Sequence, residues 1–378
     1  MELSEFRGQF PVTRTRAYLF SGALAPAAEP VRAAFARWSE SWTYDPNHVY
    51  DFDLIGRELT GLREGFARLI GADPLEVAIT DSTSRGSNLA VRLLAGRPGT
   101  NVVVDDTSYP SSVYPWFSMT DREVRYVATD GDPDAAAALS ERMDGGTVAL
   151  TVSHVAPFTG RRHDLRALAE ATHAKGGLLV VDAAQSAGVV PIDVGRDGID
   201  VLVTTAMKWL LGPPGLGFIY VRRDVLDETP LLDVGYMGLD VPVGEWPQTH
   251  LPPIVPDARR LELGLPSLPA LGAAGAGIKL LLEIGIGVIF EQVNSLVDRC
   301  IDELLKRNFR VHTPSQRGMR AGVIAFEHPA AAELFAFLRR RAVDIGALPG
   351  NLVRVDPHGF NDEGDIERFL DGLDAFTA

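Results

Sequence analysis

Through its middle the chain alternates short, unbroken apolar runs with stretches whose apolar residues recur at helical spacing. The runs cover 76–80, 101–105, 124–127, 147–152, 177–182, 201–204 and 217–221. Continuous Val, Leu and Ile without polar alternation predict strands buried on both faces. Between them lie helical patterns such as 164–175, opened by Asp164 and closed by Gly176 and Gly177, the residues expected at helix ends. Strands alternating with helices predict an α/β fold: a mostly parallel sheet in a large domain covered by helices. After about residue 225 the pattern changes. A Pro-rich stretch over 241–256 leads to long helices over about 268–307, a strand-like piece at 320–326, a helix near 330–342 and a terminal helix from about 362. This end reads as a smaller α+β lobe, and no internal repeat interrupts the chain.

The apolar stretch 268–290 has the composition of a membrane span. Lys279, Glu283 and several glycines interrupt it, so a buried helix is expected. The N-terminus lacks the basic-then-apolar pattern of a signal peptide, and a cytoplasmic enzyme is expected.

Composition narrows the functions. The 378 residues carry a formal net charge of -14, which argues against sequence-independent nucleic-acid binding. A single cysteine, Cys300, excludes an intramolecular disulfide framework and any multi-cysteine metal site. It lies in an amphipathic pattern and reads as packing. The eight histidines show no metal-ligand spacing, so no metal is expected.

Candidate chemistry sits where strands end. Lys208 follows the run 201–204 and precedes a Gly- and Pro-rich turn. Partial burial there would favour its neutral amine, as a Schiff-base lysine requires, whereas an ordinary lysine would extend its stem to solvent. Ser82, Thr83 and Ser84 follow another strand at a helix start. They suit a phosphate, or simple N-capping. Asp182 ends four apolar residues and needs a partner: a protonated pyridine nitrogen, a following turn or a magnesium ion. Thr205 stands three residues before Lys208. Tyr109 follows a strand in a Pro-rich turn, placed either to stack on a ring or to lie at the surface.

The segments Val180-Val-Asp-Ala-Ala-Gln-Ser-Ala-Gly and Thr204-Thr-Ala-Met-Lys-Trp-Leu-Leu-Gly-Pro-Pro-Gly resemble the class V aminotransferase family of pyridoxal-phosphate enzymes. Further pieces fall in the family's order: Ala17-Tyr-Leu-Phe-Ser-Gly-Ala, Thr80-Asp-Ser-Thr-Ser-Arg, Tyr109-Pro-Ser, Ser153-His-Val-Ala-Pro, Arg260-Leu-Glu-Leu-Gly and Arg354-Val-Asp-Pro-His. The resemblance implies fold type I, with an N-terminal arm over 1–20, a large domain over 21–257 and a small domain over 258–378. It implies pyridoxal 5'-phosphate as cofactor, with Lys208 as the Schiff-base lysine, Asp182 on the pyridine nitrogen and Gln185 on the phenolic oxygen. Ser82, Thr83, Ser84 and Thr205 would hold the phosphate, and Tyr109 would stack on the ring. Arg354 takes the position of the arginine that clamps the substrate carboxylate, and Asn47, His48 and Tyr50 fall where the family lines its substrate pocket. A homodimer is implied, with 260–267 approaching the partner's cofactor.

Three positions depart from the family. Met207 stands where many relatives carry a histidine, Pro157 where many have an asparagine, and Leu265 where a threonine often crosses the dimer. The short stretch before Arg354 also lacks the cysteine that desulfurases need. The expected chemistry is formation of an external aldimine with an amino acid and removal of its Cα proton. Isopenicillin-N-epimerase-like relatives without that cysteine suggest a lyase eliminating a β-substituent, of the C–S lyase type. Aminotransfer to a keto acid is the runner-up, then epimerisation, with desulfuration and a non-enzymatic role set aside.

Overall fold

The computed structural model describes every residue except Pro133, Val243, Gly244, Gln248 and Ala378. Part of the Pro-rich stretch over 241–256 therefore lies outside the described residues. In chain order the N-terminal half carries α1 (Leu3–Gly8), β1 (Ala17–Tyr18), α2 (Glu29–Tyr44), α3 (Pro46–Val49), α4 (Phe52–Ile70) and β2 (Val77–Thr80). It continues with α5 (Thr83–Leu94), β3 (Asn101–Asp105), α6 (Pro110–Val113), β4 (Glu123–Val127), α7 (Ala135–Glu141) and β5 (Thr147–Ser153). Next come α8 (Leu165–His173), β6 (Leu178–Asp182), β7 (Val201–Thr205), β8 (Gly217–Val221) and α9 (Arg223–Glu228). The C-terminal part holds α10 (Leu268–Ile284), α11 (Ile286–Lys306), β9 (Ile324–Glu327), α12 (Ala331–Arg340), β10 (Val343–Asp344), β11 (Gly346–Leu348), β12 (Leu352–Val355) and α13 (Glu363–Thr377).

All seven apolar runs become strands of one sheet, ordered β2-β8-β7-β6-β5-β3-β4. β4, β3, β5, β6 and β7 pair parallel; β8 is antiparallel to both its neighbours. Strand side chains alternate between faces, and the two faces feed separate cores. Leu179, Val181 and Leu202 join one core with Phe66 and Phe218, while Leu178, Val180, Val201 and Val203 join the other with Leu89 and Trp116. That double burial is why these runs lack polar alternation.

The helices follow from their own sequence. Asp51 caps α4 by accepting from the Asp53 and Leu54 amides, and Gly71 ends it at φ +67°, a conformation open to glycine at little cost. Ile55, Leu59, Leu62, Phe66 and Ile70 form its buried stripe. Asp164 caps α8, as the sequence predicts. α10 and α11 meet at Gly285 with a bend of 81°, and no single described helix is long and apolar enough to cross a membrane.

A three-stranded antiparallel sheet, β11-β12-β9, builds the C-terminal lobe. The N-terminal segment joins this lobe: β1 pairs with β10, Phe10 stacks on Phe360, and Arg7 binds Asp365 at 2.7 Å. α10 packs along α2 and α4, and Gly272 gives α2 close approach, since a Cβ there would strike Trp38 Nε1.

Candidate active site

Parallel strands bring their carboxyl ends to one rim, where ligands bind in open α/β sheets. Here the rim opens into a cavity of about 460 Å³. Ser82, Thr83, Ser84, Tyr109, Asp182, Gln185, Thr205, Lys208 and Arg354 all line it.

Lys208 stands in the turn after β7. That turn is tied back by the Leu211 amide donating to the Lys208 carbonyl and by Gly212 donating to Ala206. The Lys208 amine lies 5.6 Å from the centre of the Tyr109 ring. Burial lowers its pKa below the ordinary lysine value; Asp182 and Asp356 oppose that shift and Arg354 reinforces it. The neutral amine is correspondingly favoured.

Asp182 is buried at the end of β6. Its carboxylate accepts from the Ser112 hydroxyl at 2.5 Å, the Ala184 amide at 2.8 Å and the Ser153 hydroxyl at 3.4 Å. All three donors are neutral, so the negative charge is oriented but not cancelled. Gln185 is fixed at both ends: its amide donates to the Gly22 carbonyl at 2.9 Å, and its oxygen accepts from Trp209 Nε1 at 2.8 Å. One N–H of its amide stays unassigned.

α5 directs its N-terminus at the cavity, with Ser82 as N-cap accepting from the Arg85 amide. Ser82 thus both caps α5 and lines the cavity. The Thr83 hydroxyl oxygen is buried without a hydrogen-bond partner. Such a group costs free energy unless a ligand or water satisfies it. Thr205 donates to the Leu216 carbonyl at 3.3 Å.

Arg354, on β12, is buried and already engaged. Its Nε lies 2.8 and 3.0 Å from the two Asp356 oxygens, Nη2 lies 2.6 Å from Oδ2, and Nη1 donates to the Pro157 carbonyl at 3.0 Å. Burial pushes the Asp356 carboxyl above its ordinary value, and Arg354 pulls it back. Pro157 thus contributes its carbonyl where an asparagine side chain was expected from the family. Met207 lines the cavity, while its carbonyl accepts from the Ala25 amide.

Asn47, His48 and Tyr50 are exposed and line no part of the cavity. Asn47 and His48 sit on α3 and Tyr50 follows it; Val49 is the residue this turn buries. Leu265 also lies off the cavity, in a separate depression with Arg85 and Glu262. Its amide donates to the Tyr236 hydroxyl at 3.2 Å.

The site includes residues that strand-end reasoning passed over: Ser112, Ser153, Trp209, Gly22 and Asp356. Asp356 carried a readable signal, since it stands two residues after Arg354 and period-two alternation puts both on one side. Gly22 carried none. A Cβ there would fall 2.5 Å from Arg354 Nη2 and 2.6 Å from Asp356 Oδ2.

Comparison with known proteins decides the family. The model named "Aminotransferase class-V" matches residues 17–351. The chain belongs to that family. It is 29% identical over 374 residues to an uncharacterized aminotransferase, YcbU, of Bacillus subtilis, covering 99% of this chain and 98% of the relative. It is also 29% identical to isopenicillin N epimerase of Streptomyces clavuligerus, covering 99% and 98%. Among solved structures, the cystine C-S lyase C-DES in complex with its product cysteine persulfide superposes with a TM-score of 0.86. That pair shares 20% identity, covering 97% of this chain and 99% of C-DES, a likeness of fold. This class-V protein is a pyridoxal-phosphate-dependent enzyme.

The residues present fit that cofactor. A buried hydroxyl without a partner stands at a helix N-terminus, suited to a phosphate. A buried carboxylate with only neutral donors suits a cationic ring nitrogen. An amine biased toward its neutral form suits attachment to an aldehyde. All three open on one cavity.

Proposed function

We propose that this enzyme is a lyase that removes the Cα proton of an amino acid and expels a β-substituent, acting on cysteine-derived or similar substrates. One observation carries the reading. Lys208, Asp182 and Arg354 share a cavity, whereas the chain's only thiol, Cys300, is buried in α11 with its pKa pushed up to about 12 by burial. A nucleophilic thiolate is therefore not at hand for persulfide formation, and Lys208 is the base in position.

In this reading Asp182 holds the pyridine nitrogen, Gln185 donates to the phenolic oxygen and Tyr109 covers the ring. Ser82, Thr83, Ser84 and Thr205 hold the phosphate, supported by the α5 N-terminus. The bound cofactor supplies an electron sink for charge developing at Cα. Lys208 takes the Cα proton and hands it to the departing group, work that its lowered pKa favours. Arg354 receives the α-carboxylate through N–H groups that Asp356 and Pro157 leave free. A homodimer belongs to the proposal: Trp42 and Tyr44 at the end of α2 are 68% and 81% exposed, an apolar face suited to a second copy.

The test is incubation of the holoenzyme with S-substituted cysteines and with unsubstituted aliphatic amino acids. We expect 2-keto acid plus ammonia from the former only. Conversion of the cofactor to its amine form would instead assign aminotransfer, and loss of optical activity alone would assign epimerisation. Either result overturns the lyase reading.

A further inference from the structure

Two groups of opposite charge face each other beside Lys208, and only one of them has been used. Arg354 presents five N–H donors. Asp356 takes one from Nε and one from Nη2, and Pro157 takes one from Nη1. One N–H remains on each terminal nitrogen. The Asp356 side chain is fully buried, and Gly22 closes over the pair so tightly that any side chain there would strike both partners. The pair is thus held in place from three segments: the turn after β1, the loop after β5 and the end of β12.

We propose that Asp356 is a specificity-determining residue that sets how strongly this site rewards a substrate carboxylate. It does so in two ways. It occupies the side edge of the guanidinium, so that a ligand must approach through the two remaining N–H groups. Its carboxylate also lies against the guanidinium at 2.6–2.8 Å and opposes the arginine's charge, so that a second carboxylate arriving there meets a weaker attraction. The α-carboxylate is then bound through geometry with reduced Coulomb attraction. The site accordingly discriminates only modestly between an amino acid and the amine lacking its carboxylate. This inference rests on Arg354 being the carboxylate-binding group of the proposed reaction.

Asp356→Asn tests it, because an asparagine oxygen still accepts from Nε while the charge is gone. The holoenzyme is titrated with L-alanine and with ethylamine, following the cofactor's absorbance, and the ratio of the two Kd values is compared between variants. For the wild type we expect a small ratio. For D356N we expect alanine to bind at least about tenfold tighter relative to ethylamine, the effect of one neighbouring buried charge, with ethylamine unchanged. Should D356N fail to fold or load cofactor, Asp356→Ser serves with the same expectation. A ratio unchanged or reduced in a folded, loaded variant overturns the proposal. Arg354→Gln separates the two readings. If it leaves the wild-type ratio untouched, the role of Arg354 fails and this inference with it; if it alters the ratio while D356N does not, only this inference fails.

Discussion

Asp105 and Asp182 end two strands of the same sheet, with β5 between them. Both follow apolar runs, Val102-Val-Val and Leu179-Val-Val, and both are buried. Their surroundings differ in kind. Asp105 accepts from His163 at 2.7 Å, from the Thr107 amide and hydroxyl, and from Thr129 at 2.5 Å. Burial pushes its pKa up, yet His163 and these donors overcome it and hold the carboxyl at about 2. Asp182 has only neutral donors and opens on the cavity. One carboxylate is satisfied entirely by the chain; the other retains a charge for a ligand. An apolar strand ending in aspartate therefore does not mark a site by itself. What marks it is a carboxylate that opens on a cavity instead of a closed set of partners.

Exchanging each aspartate's defining partner should separate the two roles. Asp182→Asn removes the unspent charge, and kcat/KM should fall by roughly 10²–10³-fold, the size seen when one preorganised charge-stabilising group is lost. Folding stability should change little, since the Asn oxygen still accepts from the Ala184 amide while its NH2 donates to the Ser112 hydroxyl oxygen. Steady-state rates beside thermal melts check this. A variant that melts early but keeps its rate would reverse the assignment of roles.

His163→Ala should do the opposite. Removing the His163 hydrogen bond from a buried carboxylate that keeps Thr107 and Thr129 costs about 1.5–3 kcal/mol, measured by denaturant unfolding, while the cofactor spectrum persists. The pH sign follows from the lowered pKa. The stabilisation from Asp105 is complete above its ordinary value of 3.8 and is lost as pH falls toward about 2. Wild type and variant should therefore converge in acid. Loss of the spectrum at full stability would show that the Asp105 network, which leads into Tyr109, shapes the cavity directly.

Ser112→Ala is a milder probe of the same contrast. It removes one hydrogen bond to a charged group, about 1.5–3 kcal/mol, and leaves Ser153 and the Ala184 amide in place. Cofactor affinity should weaken about tenfold or somewhat more, read by equilibrium dialysis. An unchanged affinity would mean that the Ser112 contact gives way once the cofactor binds.

These contrasts also show what the chain reveals unaided. Six of the seven runs became strands buried throughout, which must be apolar; the seventh, β4, is an edge strand with Glu123 and Tyr126 exposed. Lys208, Asp182, Gln185 and Arg354 were legible through the family's motif order. Asp105 and His163 were not, because their pairing joins the end of β3 to the segment before α8 and no local pattern records it. Asn47, His48 and Tyr50 lie outside this chain's cavity; a short turn after α2 can face either side, and only packing of Val49 decides. α10 shows the same limit, since small residues say that something comes close but not which helix.

The smallest expected effect concerns Lys208 itself in the cofactor-free enzyme. Its folded pKa lies below the unfolded value of 10.5 because burial disfavours the ammonium. Below the folded pKa the native state carries a poorly solvated charge that the unfolded chain does not penalise. Between the folded pKa and 10.5 the unfolded state binds more protons, so stability rises with pH across that window. Lys208→Met removes the penalty at every pH. Apo K208M should melt above apo wild type at neutral pH, by on the order of a degree or two, and the gap should close as pH climbs toward 10.5. Asp105 stabilises the chain through a partner it already has, and its contribution fades in acid. Lys208 costs the empty site stability through a partner it lacks, and its cost fades in base. A gap that widens with pH would mean that Asp182 and Asp356 outweigh burial and hold Lys208 as a cation, leaving it no neutral amine with which to begin.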